Sequence, residues 1–248
     1  MSSEGKLVRA QTRHQLKQDR FRGATIGAAE ATVHWSVEHK TKLAIAAIVI
    51  LVVVAAAIGG WYYLNRQDEK ASADLSKAVR TLDTPLRPAG VPAQPDSPSF
   101  ASAQERATEA HKQFQAIVDK YPHTRSGDVA RYFLGLTSAQ LGDNATAERE
   151  LRKVASTHND DLSALAKFAL ASVYRNLNRN KEAIDLYKQL MDKPTRTVGK
   201  VSAQLELAST YQADGQAAEA KKLYEQVQKE NPSSEASQIA SAKLQELK

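Results

Sequence analysis

Five residue columns recur between positions 135 and 227, and in each the copies lie 36 and then 37 residues apart. Gly135, Ala171 and Ala208 form the first, and Gly142, Asn178 and Gly215 the second. Ala147, Ala183 and Ala220 follow, then Leu151, Tyr187 and Tyr224, then Val154, Leu190 and Val227. Because every column keeps the same spacing, insertions fall between repeats and not within them. Such a period marks an array whose units bury their apolar faces only against their neighbours. Half of the pattern also occurs upstream, as Ala110, Phe114, Ile117 and Pro122, 37 residues before Ala147, Leu151, Val154 and Asn159.

Each column has a physical reading. From Ser99 onward the chain is Ala-rich and helical in pattern, broken at "KYPHTRSGD", "LGDN", "THNDD", "LNRN", "DKPTRT", "ADGQ" and "NPSS". Helices of about a dozen residues joined by such turns make helical hairpins. The two small columns are expected where the helices of a hairpin approach closely. The Leu or Tyr column fills the gap to the next hairpin. Gly or Asn at 142, 178 and 215 suits a left-handed turn residue.

These residues carry a resemblance. "L-G…LGD…A-x3-L-x2-V", "L-A-x2-Y…A-x3-Y-x2-L-x3-P" and "L-A-x2-Y…DG…A-x3-Y-x2-V…P" are similar to tetratricopeptide repeats. Ser138 replaces the expected aromatic, no copy has the Trp, and Pro194 comes one residue early. The resemblance covers roughly residues 100–248 and implies an all-α solenoid of helical hairpins. Residues 68–83 are expected to supply the leading helix of an interrupted first repeat, with Leu75, Ser76 and Val79 in the L-G-x2-Y columns. The closing "SSEASQIASAKLQELK" reads as a solvating helix capped by Ser233 or Ser234, with Ile239 and Leu244 facing inward.

Ahead of the repeats stands "LAIAAIVILVVVAAAIGGWYYL", residues 43–64, without a charge. As a helix it would reach about 33 Å, enough to span a bilayer. Trp61, Tyr62 and Tyr63 sit at one end, where amphipathic rings favour the headgroup level. About forty residues precede it, so an uncleaved signal anchor is expected rather than a cleaved signal. Residues 1–42 carry eight Lys/Arg against four acids, which predicts a cytoplasmic N-terminus. This tail, with Trp35 and Val33/Val37 as an apolar side, could touch anionic headgroups or serve only for orientation. The expected organisation is therefore a basic cytoplasmic tail (1–42), a single N-terminal transmembrane helix (43–64), a helix plus Pro-rich linker (65–99), and repeats with a C-terminal capping helix (100–248). Five of the eight prolines lie in "TPLRPAGVPAQPDSPS", which reads as a spacer.

Charge and motifs exclude several functions. Of the net charge of +6, the tail supplies +4, so the rest of the chain is nearly balanced and lacks the basic stripe that nucleic acid requires. No Cys is present, which removes thiol catalysis, disulfides and Cys-based metal sites. The six histidines show no ligand spacing, and no phosphate-binding or nucleophile-elbow motif occurs. His34, Glu38 and His39 in "VHWSVEHK" read as a solvated helix contact. "NAT" at Asn144 reads as a turn rather than a glycosylation acceptor. No enzyme activity, cofactor, metal or small-molecule substrate is expected.

A basic inner tail, one span and external repeats together resemble the YfgM-like ancillary subunit of the bacterial Sec translocon. The resemblance implies a protein of the inner membrane with its repeats in the periplasm, meeting translocon subunits, exported polypeptides or periplasmic chaperones. A cell-division or outer-membrane-assembly coordinator with similar repeats is the alternative. The tetratricopeptide resemblance implies that the leading helices line a partner-binding groove with Tyr132, Leu136 and Gln140, then Phe168, Ser172, Arg175 and Asn176, then Leu205, Ser209 and Gln212. Tyr132, Phe168 and Leu205 could equally be core residues. The Lys and Asn residues with which some chaperone-binding repeats clamp a terminal carboxylate are absent from those positions.

Overall fold

The computed structural model describes residues 40–88, 90 and 99–247. Most of the basic tail, with His34, Trp35 and the flanking Val33 and Val37, lies outside the described residues, as does most of the Pro-rich segment. The chain divides into two compact units, Met1–Tyr63 and Leu64–Lys248.

Nine helices follow one another among the described residues: α1 (Lys40–Asp83), α2 (Ala103–Lys120), α3 (Arg125–Gln140), α4 (Asn144–Ala155), α5 (Asp160–Asn176), α6 (Asn180–Asp192), α7 (Lys200–Ala213), α8 (Ala217–Glu230) and α9 (Glu235–Glu246). From α2 onward each helix packs on the next, and α3 also meets α5 as α7 meets α9. That connectivity is a solenoid of antiparallel hairpins.

Local chemistry starts and stops these helices. Ser102, Thr124, Asp143, Asn159 and Ser234 are N-caps whose side chains accept a hydrogen bond from a backbone N–H three residues on, at 2.9–3.1 Å. The turns inside the hairpins use Gly142 (φ 84°), Asn178 (φ 57°) and Gly215 (φ 76°), a left-handed conformation open to Gly and tolerated by Asn.

The small columns lie where two helices meet. A Cβ on Gly135 would fall 2.6 Å from Cγ and 2.8 Å from Cδ2 of Leu151, so α3 and α4 touch through the missing side chain. Ala147, Ala171, Ala183, Ala208 and Ala220 are all fully buried, as are Leu151, Tyr187, Val154 and Val227. One further column escaped the sequence reading: Ala130, Ala166 and Ala203 are also fully buried, four residues before Leu134, Leu170 and Leu207. The extra residue between the last two repeats falls in the loop 193–199. There Arg196 grips Asp161 through Nε and Nη2 at 3.1 and 2.7 Å.

The second half of α1 acts as a leading helix. Leu75, Val79 and Leu82 pack with Ala71 and Ala78 against Ala110, Phe114 and Leu134. Ala71 and Leu75 stand 59 residues before Ala130 and Leu134, an offset lengthened by the segment inserted between α1 and α2. One detail of the expectation is corrected. Ser76, in the column of Gly135, is exposed and donates to the Ser72 carbonyl at 2.8 Å. Ala71 and Ala78 are the fully buried small residues instead. Among the described residues flanking the insertion, the Arg87 N–H donates to the Phe100 carbonyl at 2.7 Å and the Arg87 guanidinium donates to the Ser99 carbonyl at 3.4 Å.

At the C-terminus Ser234 is the N-cap of α9, while Ala240, Leu244 and Leu247 pack on α8. Ile239 is 43% exposed, contrary to the inward position expected of it. It precedes Ala240, and adjacent helical positions point about 100° apart, so only one of the two can face the core.

The first half of α1 is long and apolar enough to cross a membrane, and the 18-residue stretch that meets this criterion has no buried residue. Ile45, Leu51, Val53, Ile58 and Trp61 are each about 60% exposed or more.

Candidate protein-binding groove

All ten residues expected to bind a partner lie on the leading helices α3, α5 and α7. Gln140, Ser172 and Asn176 are exposed. Tyr132, Leu136, Phe168, Arg175, Leu205, Ser209 and Gln212 are half-buried.

The half-buried apolar members are shared between core and surface. Phe168 meets the ring of Tyr187 edge-on, centroids 5.5 Å apart, and Tyr132 packs edge-on against Phe133 at 5.4 Å. Both rest on the central core that holds Leu170, Tyr174 and Tyr187, while Leu205 rests on the one around Tyr224. An aromatic ring fixed on one side and open on the other is a rigid anchor that loses little entropy when a partner covers it. Burial pushes the Tyr132 phenol above its ordinary range.

The polar members form one constellation. Arg175 of α5 pairs with Glu206 of α7 and also donates to Ser209 Oγ at 3.3 Å, so two predicted residues are brought together across hairpins. Beneath them lies Tyr187. Burial, with the Glu206 carboxylate adding to it, pushes its phenol up to about 12. Gln212 is directed elsewhere and accepts from the Tyr224 hydroxyl at 3.5 Å. Sequence reasoning missed Glu206. The available signal was an opposite charge 31 residues after Arg175, the separation at which Glu148 and Arg179 also pair, at 2.7 Å.

A second polar cluster binds hairpin to hairpin. Tyr174 donates to Glu148 at 3.2 Å and accepts from Arg152 at 2.7 Å, and the Arg179 guanidinium lies 4.3 Å from the Tyr174 ring centroid. Hydrogen bonding to Arg179 is the main cause that holds the Glu148 carboxyl below the usual carboxylate range.

A cavity of about 440 Å³ near the loop 193–199 is lined by Asp160, Ser163, Lys167, Gln189 and Thr195 and shares no residue with the predicted groove. Among the described residues no three His, Asp or Glu side chains are grouped to hold a metal ion. The ion pairs cross-link helices, and the surface joins aromatic anchors to adaptable polar groups, as suits binding a polypeptide.

Comparison with known proteins agrees with this geometry. A tetratricopeptide repeat-like domain profile matches residues 34–189, and a tetratricopeptide repeat profile matches residues 202–234. Two solved structures of a Podosopora anserina protein, described as a putative kinesin light chain with nearly identical TPR-like repeats, share the fold, one of them carrying a single substitution. Each is 18% identical to this chain with a TM-score of 0.56 and covers 73% of it, the match taking in 85% of the substituted protein and 86% of the other structure. A search of curated proteins finds no match. The profile spanning residues 34–189 takes in more than half of the sequence, and the chain belongs to the tetratricopeptide repeat-like domain family.

Proposed function

We propose that this protein is a membrane-anchored, periplasmic scaffold that binds polypeptides in its repeat groove and assists Sec-dependent export or handover to periplasmic chaperones. Tetratricopeptide repeats suggest a protein-interaction scaffold, and folds of this kind are typically non-enzymatic. The observation that carries the finer reading lies in α1. One helix holds an uncharged exposed apolar stretch and, from Leu64 on, the first leading helix of the array. The family match begins at residue 34 and so takes in that apolar stretch.

In this reading residues 43–64 span the inner membrane, the basic tail stays in the cytoplasm, and the repeats stand outside. Translocon subunits, emerging chains or chaperones meet Leu136 together with Tyr132, Phe168 and Leu205, the last three of which have inner faces already fixed by the core. The polar partners Arg175, Ser209, Gln140, Ser172, Asn176 and Gln212 set register along the groove.

Photo-crosslinkers placed in cells at positions 132, 168 and 175 test the reading. Capture of channel subunits or exported chains is the expected result. Capture of division or outer-membrane machinery would move the protein to a different duty. Release of the chain from membranes by alkaline carbonate would remove the anchor.

A further inference from the structure

The 59-residue offset that carries Ala71 onto Ala130 and Leu75 onto Leu134 also carries Lys70, Ala73, Lys77 and Arg80 onto Val129, Tyr132, Leu136 and Ala139. Of the groove positions named on α3, that of Leu136 is Lys77 on α1, while Ala73 and Thr81 stand at those of Tyr132 and Gln140; Lys70 and Arg80 flank Lys77 on the same face, where α3 has the apolar Val129 and Ala139. The opposite side of α1 fixes which way they point. Ala71 and Ala78 are fully buried, Leu75, Val79 and Leu82 pack on the core, and Asp68 accepts from the Ser126 N–H at 2.8 Å. Lys70, Lys77 and Arg80 are exposed, and their spacing aligns them along about 15 Å of one helix face.

None of the three makes an ion pair among the described residues. Glu69 is engaged with Arg66 and Asp74 with Lys120, each at 3.6 Å, and Asp83, three residues after Arg80, is exposed and makes no ion pair with it among the described residues. Further along the groove Arg175 is neutralised by Glu206. Lys77 and Arg80 are like charges one turn apart, and both are exposed.

We propose that the groove takes a polypeptide segment whose acidic stretch lies over Lys70, Lys77 and Arg80 and whose apolar side chains continue onto Tyr132, Leu136 and Phe168. The assignment rests on reading the leading-helix face as a polypeptide groove. Three exposed cations spread along a helix suit a run of carboxylates, rather than one clamped terminal carboxylate. A phosphate backbone would find no further unpaired cation on the groove positions of α3, α5 and α7, whereas a peptide finds Tyr132 and Leu136 there.

The full chain in phosphatidylcholine nanodiscs is titrated with two labelled peptides that share one Leu- and Phe-rich sequence, one extended by a run of Glu and the other by Gln. The Glu peptide should bind about tenfold tighter at low salt, with the preference fading at high salt. The triple variant Lys70→Gln/Lys77→Gln/Arg80→Gln should bring the Glu peptide to the affinity of the Gln peptide, whose unchanged binding certifies the fold. Leu136→Ser should weaken both. Equal binding of the two peptides to the unsubstituted chain, or a preference kept by the triple variant, overturns the acidic assignment and leaves the groove standing. Binding of neither peptide overturns both. Loss of the preference when about one third of the lipid is phosphatidylglycerol assigns the stripe to headgroups and also overturns the proposal.

Discussion

The Tyr174 hydroxyl donates to the Glu148 carboxylate at 3.2 Å, a bond that crosses from one hairpin to the next. One repeat earlier the same two positions hold Ser138 and His111, with Ser138 Oγ 3.4 Å from the ring Nδ1. His111 thus stands beside the place where Ser138 lacks the aromatic of later copies. The phenol also accepts from Arg152. Tyr174→Phe keeps the buried ring and removes both hydrogen bonds, so it should cost about 1–2 kcal/mol in urea unfolding. Val173, its buried neighbour, is no substitute control, because truncating it opens a cavity as well.

Glu150 is the most enclosed carboxylate in these ion networks. Its side chain is 5% exposed, with Arg131 Nη1 and Arg149 Nε at 2.7 Å and Lys153 Nζ at 3.2 Å. Burial alone would raise its pKa; hydrogen bonds from Arg149, Arg131 and Lys153 outweigh that and hold it below its ordinary 4.5. A depressed carboxylate stabilises the fold above its unfolded value, and that contribution is lost as pH falls through the folded value. Thermal melting should therefore weaken as pH drops below 4.5, and Glu150→Gln should flatten that acid limb. At neutral pH the variant should lose about 2–3 kcal/mol, because Arg131, 13% exposed, is left without its charge partner.

Gly135 is set apart from its column mates by what it faces. Ala171 and Ala208 hold the same position with a methyl group, yet a Cβ at 135 would enter the space of Leu151. Gly135→Ala should cost about 1–3 kcal/mol through overpacking. Trimming Leu151 to Val should recover part of that loss in a double-mutant cycle, although either change alone destabilises. Additive losses would show that the two groups do not compete for the same volume.

The fold was legible because its constraints are periodic. A small residue at a helix crossing and a left-handed turn residue each admit few amino acids, so Gly135, Ala171 and Ala208 or Gly142, Asn178 and Gly215 stand out in one sequence. Ser76 misled because the column identifies a position and not its neighbour; where α2 does not press close, a polar residue is tolerated. Ile239 misled for a related reason, since one step of register exchanges an inward residue for an outward one. The groove was half legible. Register placed Tyr132, Phe168 and Arg175 on the right helices, but Glu206 binds Arg175 through a contact between repeats that no within-repeat pattern encodes. The pair of Glu148 with Arg179 was hidden for the same cause, whereas the pairs of Glu150 lie within one repeat and have no counterpart in the later copies, where Leu186 and Leu223 take its position.

Gln204 occupies a position held by Arg131 and Lys167 in the two preceding repeats, yet it is fully buried, and neither its Nε2 nor its Oε1 finds a hydrogen-bond partner within the described residues. A buried amide without partners costs more than the contacts of its stem return, whereas an apolar chain of similar shape keeps those contacts without the desolvation penalty. Gln204→Met should therefore raise stability by about 1 kcal/mol, read as a higher urea midpoint at unchanged slope. Gln204→Ala separates shape from polarity: it removes the amide too, but leaves a cavity beside Leu207 and should be destabilising. If Met and Ala destabilise alike, the amide is making interactions in solution that offset its burial. If Met alone stabilises, the last repeat carries a polar group that packing does not need.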